Sequence, residues 1–345
     1  IAFYGGEPLL NFNLVKGVIE HVEETYPNLL VHYTITTNGI MLKDKHIADF
    51  LRSHNVIICV SIDGYRDNHD RNRLKTNGAP TYDEICEIVH SYFQDYQLIY
   101  SLCCIDYLTD LRKLYQYYMT YDRMSGGDMP HLLRVSQIFD LGTDYYDQFS
   151  AESQERFASD YRHLEAEYIR LAQNGESNWF LDLMIGQELL HVFDRPKFGN
   201  LGGFYVVNGC CVPGEKIYVY PDGTFGVCEK VGIDDIKIGD IHNGIDFKCV
   251  SSWINKMNRI MSDFCGACTT SSACSVCFSQ LTSAESLGFT KRKCALRKSA
   301  FFHCIEVISE IERKNPNFFT NKVLSIVKRN SNADISEGLL NIMLS

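Results

Sequence analysis

Eight cysteines crowd the last third of this chain: Cys210, Cys211, Cys228, Cys265, Cys268, Cys274, Cys277 and Cys294. Four of them, Cys265, Cys268, Cys274 and Cys277, fall inside thirteen residues, separated by small and polar residues rather than by an apolar period. Thiols spaced in this way are hard to place in a core and easy to place around metal, so the region reads as one that folds around metal ligands. A disulfide framework belongs to small secreted chains. This chain has 345 residues, no signal-like start and no apolar run long enough to span a membrane. Zinc would use Cys265, Cys268, Cys274 and Cys277 as one closed set of four and leave the other four cysteines unexplained. Iron–sulfur clusters also take four cysteines each, and eight nearby cysteines suit two of them. Spacing alone leaves both metals open.

The formal charge of −10 argues against a nucleic-acid partner, which would need clustered Lys and Arg. The compact basic triplet Lys291-Arg292-Lys293, directly before Cys294, reads either as a solvated loop or as charge compensation for an anionic cluster. A hydrophobic share of 45% in a chain of this length can bury one or two full cores. The sequence shows no internal repeat and no low-complexity tract.

The first 140 residues alternate short apolar runs with amphipathic stretches. Ile1 to Tyr4 reads as a buried strand that begins with no cap or turn before it, from which a fragment lacking its N-terminal portion is expected. Asn11 to Tyr26 puts Phe12, Val15, Val18, Ile19 and Val22 on one helical face, with Pro27 as the stop. The spacing predicts strands over Val31–Thr36, Val56–Ile62, Leu98–Ile105 and His131–Phe139, and helices over Asp44–His54, Tyr82–Phe93 and Leu108–Thr120. Strict β/α alternation implies parallel strands, hence an α/β sheet or barrel that delivers function at its C-terminal strand ends. Those ends carry Gly5-Gly6-Glu7-Pro8, Thr36-Thr37-Asn38-Gly39 and Ser61-Ile62-Asp63-Gly64. Taken singly, each glycine is turn punctuation; three such ends in succession on one rim read as a small-molecule site.

Gly5-Gly6-Glu7-Pro8, Thr37-Asn38-Gly39, and Ser61-Ile62-Asp63-Gly64 followed by His69-Asp70 and Arg73 resemble successive signatures of radical S-adenosylmethionine enzymes. The C-terminal cysteines resemble the SPASM extension of that family, which binds two auxiliary [4Fe–4S] clusters. The resemblance implies a partial (β/α)6 TIM-like barrel over residues 1–200, its first strand and cluster loop missing. A cysteine-rich SPASM domain with a β-hairpin would follow over 201–305, and a helical tail over 306–345.

By the same resemblance Gly5, Gly6, Glu7 and Pro8 would meet the amino group of S-adenosylmethionine, with Thr37 and Asn38 beside them. Ser61 and Asp63 would face its ribose and methionine part, and Arg73 matches a basic position with no assigned contact. Cys211, Cys228 and Cys277 would hold the nearer cluster, with either Cys210 as fourth ligand or one iron open. Cys265, Cys268, Cys274 and Cys294 would hold the farther one. Pro221-Asp222-Gly223 independently supports a hairpin over Tyr218 to Phe225. Two departures stand out. Cys274 and Cys277 are separated by two residues where the family usually has three, and Phe204-Tyr205-Val206 stands where relatives carry a further cysteine. The defining Cys-x3-Cys-x2-Cys of the S-adenosylmethionine-cleaving cluster has no match in these residues, and Cys59, Cys86, Cys103 and Cys104 read as core thiols. The fragment alone is expected to be inactive and its parent to be the enzyme.

The implied chemistry is hydrogen abstraction from a peptide or protein residue by a 5′-deoxyadenosyl radical. Anaerobic sulfatase-maturating enzymes, which make formylglycine, carry an Asp after the cysteine equivalent to Cys228, where this chain has Glu229. Glu229 reads as a general base or as a surface carboxylate. The favoured expectation is a maturase of ribosomally made peptides forming a thioether or other cross-link, with formylglycine formation as the alternative. The implied partners are a peptide substrate and an electron donor such as ferredoxin or flavodoxin, with no nucleic acid and no membrane, in a reducing cytoplasm. A reading of another class, a non-catalytic zinc-binding interaction module, stays open at this stage. Helices are expected from about Glu152 to Gln173 and from Asp182 to Phe193, with His191 and Asp194 as ordinary residues. Asp106 reads as a cavity residue or as a helix-leading turn.

Overall fold

The computed structural model describes residues 1–139, 143–194, 214, 216–231, 236–271, 274, 276–277 and 284–332. Its first half is one parallel sheet of five strands in sequential order: β1 (Ala2–Phe3), β2 (Thr34–Thr37), β3 (Ile57–Ser61), β4 (Ile99–Ile105) and β5 (His131–Gln137). Registers of Ala2↔Thr34, Thr34↔Ile57, Ile58↔Ile99 and Tyr100↔His131 hold all four junctions parallel. The intervening helices are α1 (Phe12–Thr25), α2 (Lys45–Ser53), α3 (Arg66–Asn72), α4 (Tyr82–Phe93) and α5 (Leu111–Tyr121). The elements read from the alternation are all present within a few residues, and α3 is additional.

Local chemistry sets several boundaries. The Asp44 carboxylate accepts the His46 N–H at 2.9 Å and opens α2; Asp110 does the same for the Lys113 N–H at 2.8 Å and opens α5. Pro27 follows the end of α1 and cannot continue a helix. Strand alternation sorts the side chains. Ile35, Ile58, Val60 and Ile62 are almost wholly buried against Val15 and Ile19 of α1, Leu51 of α2 and Ile85 and Val89 of α4. Ile57 and Cys59 point to the opposite, concave face with Leu98, Tyr100, Leu102 and Leu133. Of the thiols read as core, Cys59 and Cys103 are buried, whereas Cys86 and Cys104 are only half-buried. Cys104 belongs to the concave face because it is two residues on from Leu102.

The second half adds α6 (Ala151–Gln173), α7 (Trp179–Leu181), a π turn over Asp182–Gly186 and α8 (Gln187–Phe193). A four-stranded antiparallel sheet follows: β6 (Tyr218–Val219), β7 (Thr224–Gly226), β8 (Gly239–Asp240) and β9 (Gly244–Ile245). Its first hairpin closes on Pro221-Asp222-Gly223: Gly223 takes φ 83° and the Asp222 carboxylate accepts the Thr224 N–H at 2.9 Å. Then come α9 (Phe247–Cys265), α10 (Ala284–Lys314) and α11 (Phe318–Asn332). The boundary expected at 305/306 falls inside α10. That helix sets Cys304, Val307, Ile308 and Ile311 into the core that α5, α6, α7 and α8 build around Tyr118 and Phe180, whose rings stack at 5.6 Å. Lys291-Arg292-Lys293 lies within α10, so the expected loop is helix. The boundary expected at 200/201 lies outside the described residues.

Candidate functional site at the C-terminal strand ends

After β1, an added Cβ at Gly5 or Gly6 would meet nothing within 4 Å, and Gly5 holds φ 149°, a conformation that suits glycine. The backbone there is open to close approach. Glu7 turns the other way, and its carboxylate binds the loop together. Oε1 accepts the Leu9 N–H at 3.1 Å and the Thr37 hydroxyl at 2.8 Å, while Oε2 accepts the Asn38 N–H at 2.7 Å. With Pro8 opening a 3-10 turn over Pro8–Asn11, Glu7 laces the end of β1 to the end of β2. Thr37 is 2% exposed, and its hydroxyl also accepts the Gly39 N–H at 3.1 Å; Asn38 is exposed and accepts the Ile40 N–H at 3.0 Å. An amine bound at this rim would therefore meet backbone carbonyls beside Gly5 and Gly6, because the Glu7 carboxylate is already engaged.

The end of β3 is built differently from what the motif suggests. Ser61 is half-buried on the concave side, but Asp63 is 2% exposed. Both Asp63 oxygens accept the Arg73 guanidinium, at 2.6 and 3.0 Å, and Oδ1 also accepts the Cys104 N–H at 2.8 Å. Asp63 here ties β3 to β4, with both oxygens engaged by protein groups, and this pairing also supplies a contact of Arg73. His69 completes the knot: its Nδ1 accepts the Asp63 N–H at 3.2 Å and its Nε2 lies 3.0 Å from the Thr81 hydroxyl. That hydroxyl donates to the Arg73 carbonyl at 2.6 Å, so the proton on His69 belongs on Nε2 and the ring is neutral. Burial lowers its pKa to about 4, against the opposing charge of Asp63. Asp70 caps α4 through the Thr81 and Tyr82 N–H groups at 3.0 and 2.9 Å.

Asp106, at the end of β4, is 1% exposed. It accepts from Arg71 at 2.6 Å, the Leu108 N–H at 2.8 Å, Tyr145 at 2.8 Å and Asn72 at 3.3 Å. Burial opposes its charge, but the hydrogen bonds from Tyr145, Leu108 and Arg71 outweigh that and hold the carboxyl below its usual range. It is a helix-leading turn residue rather than a free cavity carboxylate.

The cysteine-rich region approaches this rim. The Tyr4 hydroxyl is pushed up by burial, then by the charge of Glu229, with Arg134 opposing and Cys104 and Cys228 adding to the rise. Lys230 sits 5.3 Å from the Phe139 ring centre, just beyond β5. The Cys228 thiol, 3.2 Å from a Glu229 oxygen, is pushed up to about 11 by burial first, and Cys277 is among its neighbours. Cys265, at the end of α9, is likewise pushed up to about 11 by burial and then by Cys274, Cys268 and Cys294. The fold therefore gathers Cys228 with Cys277, and Cys265 with Cys268, Cys274 and Cys294. Cys210 and Cys211 lie outside the described residues.

Lys298 acts on Cys265, Cys268 and Cys294, and Arg297 on Cys294. Sequence reasoning passed these two over in favour of Lys291-Arg292-Lys293. The available signal was their spacing of three and four residues after Cys294, which puts them on its helical face. Among the described residues no three His, Cys, Asp or Glu side chains are close enough to share one ion. A four-iron cluster takes its ligand sulfurs on separate irons and so asks for four thiols around a common volume; of the second set, Cys265 and Cys274 pack against the same small core of Met261 and Val276.

Residues 1–105 match the model of the radical SAM superfamily. A cysteine-type anaerobic sulfatase-maturating enzyme of Clostridium perfringens is 22% identical over 255 residues, 70% of this chain and 62% of its own length. An uncharacterized protein of Methanocaldococcus jannaschii is 38% identical over 81 residues, 24% of this chain and 28% of that protein. A radical SAM cyclopropyl synthase of Paramaledivibacter caminithermalis is 36% identical over 69 residues, 20% of this chain and 14% of the synthase. The chain thus spans less than two thirds of these curated relatives. Among solved structures, native anSMEcpe with bound AdoMet and a Kp18Cys peptide shares the fold at a TM-score of 0.59 and 18% identity, over 94% of this chain and 85% of that one. No helix among the described residues is long and apolar enough to cross a membrane. Residues 1–105 belong to the radical SAM superfamily.

Proposed function

We propose that these residues form the cofactor rim and auxiliary-cluster region of a radical SAM enzyme that oxidises a residue of a peptide or protein substrate and closes it into a thioether or other cross-link. The observation that carries this reading is that the cysteine-rich region meets the rim of the sheet: Lys230, next to Cys228-Glu229, lies 5.3 Å from the Phe139 ring centre just beyond β5, and Glu229 is near enough to Tyr4, directly before Gly5-Gly6, to bear on its hydroxyl. A substrate between them would touch the S-adenosylmethionine side and the cysteine-rich side at once. S-adenosylmethionine on its own [4Fe–4S] cluster supplies, when bound, a radical able to take hydrogen from an unactivated carbon.

The protein's part is holding and orienting. The backbone at Gly5, Gly6 and Glu7, with Pro8 fixing the turn, receives the cofactor amine, and Thr37, Asn38 and Ser61 border it. Asp63 and Arg73 hold the strand ends to which these residues belong. Glu229 is the base that takes the proton released as the substrate residue is oxidised. Cys211, Cys228 and Cys277, with Cys210 as candidate fourth ligand, would hold the nearer auxiliary cluster. Cys265, Cys268, Cys274 and Cys294 would hold the farther one, where Lys298 and Arg297 offset its negative charge. An acidic ferredoxin or flavodoxin fits the role of electron donor.

Formylglycine formation is the second reading, favoured by the alignment with the Clostridium enzyme over 70% of this chain. Mass spectrometry of a reacted peptide separates the two. Loss of two hydrogens, with the cysteine sulfur retained and blocked to alkylation, supports the cross-link, whereas loss of the cysteine sulfur and two hydrogens with gain of one oxygen, leaving an aldehyde, supports formylglycine. S-adenosylmethionine cleavage that no peptide stimulates would contradict both.

A further inference from the structure

Three arginines stand near the C-terminal half of the sheet, and two are neutralised by buried carboxylates: Arg71 by Asp106 and Arg73 by Asp63, each with a closest approach of 2.6 Å. The third, Arg134 of β5, is exposed and makes no ion pair among the described residues. Its position depends on a backbone irregularity. Ser101 pairs with Leu132 but Leu102 pairs with Arg134, so Leu133 is an extra residue in β5. Such a bulge re-aims every side chain that follows it. In unbroken register Arg134 would oppose Cys103, which is 1% exposed in the helix-side core, and its charge would be driven into that core. With the bulge, Leu133 joins Ile57 and Cys59 on the concave face, and Arg134 pairs with Leu102 on the same face. Accordingly, the Arg134 charge acts on Cys59 of β3, Cys104 of β4 and Tyr4 just past β1.

We infer that Arg134 is a specificity-determining residue that binds a carboxylate of the peptide substrate, an Asp or Glu side chain near the residue that reacts. The inference rests on the peptide-modifying reading above. A guanidinium on a concave face flanked by thiols and a phenol is a bidentate receptor for a planar carboxylate, and closing a substrate over it would strengthen the pair by excluding water. The S-adenosylmethionine carboxylate has the same chemistry and is the competing source. It would come from the rim at Gly5-Gly6 and Ser61; Arg134 lies on β5, toward Phe139 and Lys230, but its charge also reaches Tyr4 beside Gly5, so cofactor binding is what separates the two sources.

The test is selection of a randomised cysteine-containing peptide library on the full-length protein and on its Arg134→Gln and Arg134→Lys variants. Equilibrium dialysis of S-adenosylmethionine on each protein runs in parallel. The wild type should enrich Asp or Glu at one position. Arg134→Gln should lose that enrichment by about tenfold, the scale of a charge-assisted hydrogen bond, and Arg134→Lys should keep part of it, with cofactor binding unchanged in both. Absence of acidic enrichment in the wild type, or its persistence in Arg134→Gln, overturns the inference. So does loss of cofactor binding with peptide preference intact, which assigns the carboxylate to S-adenosylmethionine. Turnover of the selected peptides is scored separately, so failure of the catalytic reading remains visible beside a positive binding result.

Discussion

Removing the Asp63 carboxylate should cost the fold far more than an ordinary polar substitution. The Asp63 side chain is 3% exposed and that of Arg73 26%. Asp63→Ala leaves the guanidinium three-quarters covered without a counter-ion and leaves the Cys104 N–H without its acceptor. Breaking a buried pair from one side costs about 3–5 kcal/mol, and partial exposure of Arg73 puts this pair at the low end. Adding about 1 kcal/mol for the orphaned N–H gives roughly 4 kcal/mol. Arg73→Leu strands a buried carboxylate and should cost about 3 kcal/mol by the same argument. The double variant Asp63→Ala/Arg73→Leu leaves neither charge unpaired and should be more stable than the sum of the singles by about 3 kcal/mol. Urea unfolding followed by far-UV circular dichroism on the four proteins measures the cycle. Single losses that add in the double variant to within about 0.5 kcal/mol would refute the claim that this pair is a coupled buried unit.

Two further outcomes follow from the same knot. His69 is neutral in the fold with a pKa of about 4, against about 6.5 when unfolded, so the unfolded chain binds the extra proton first. Stability is therefore complete above pH 6.5 and falls as pH drops toward 4, by about 3 kcal/mol in total. His69→Gln should flatten that slope in chemical-denaturation curves taken across the window, and an unchanged slope would assign the acid sensitivity to other groups. Gly64 holds φ 77°, and an added Cβ would lie 2.2 Å from Leu114 Cδ1. Gly64→Ala should cost at least about 2 kcal/mol from left-handed strain and overpacking together, read as a lowered urea midpoint; a neutral result would contradict the packing between this turn and α5.

The β/α alternation was legible because apolar runs and amphipathic stretches differ in period, and tertiary packing kept what those periods proposed. Helix α3 was not. Arg66–Asn72 has no apolar period, and the helix is pinned by Asn68 and His69 bonding back to the Asp63 backbone at 2.7 and 3.2 Å. The motif residues were legible as positions but not as roles. Asp63 and Arg73 are ten residues apart across a turn and a helix, and Glu7 and Thr37 are thirty apart, so neither pairing has a local signature. The bulge at Leu133 was equally hidden, since His131–Gln137 reads as an uninterrupted strand and only the register with β4 exposes the extra residue. In the cysteine-rich region, spacing singled out the cysteines as candidate ligands, while the cations beside them, Lys298 and Arg297, emerge only once α10 is known to run unbroken through Cys294.

The most direct measurement is iron and acid-labile sulfide in the anaerobically reconstituted full-length protein, wild type beside Cys265→Ala/Cys268→Ala. The double substitution should remove about four irons, with an equal fall in sulfide, because the farther auxiliary cluster would lose two of its four ligands. Stoichiometric zinc without iron, or an iron count untouched by the double substitution, would contradict the assignment of Cys265, Cys268, Cys274 and Cys294 to a cluster.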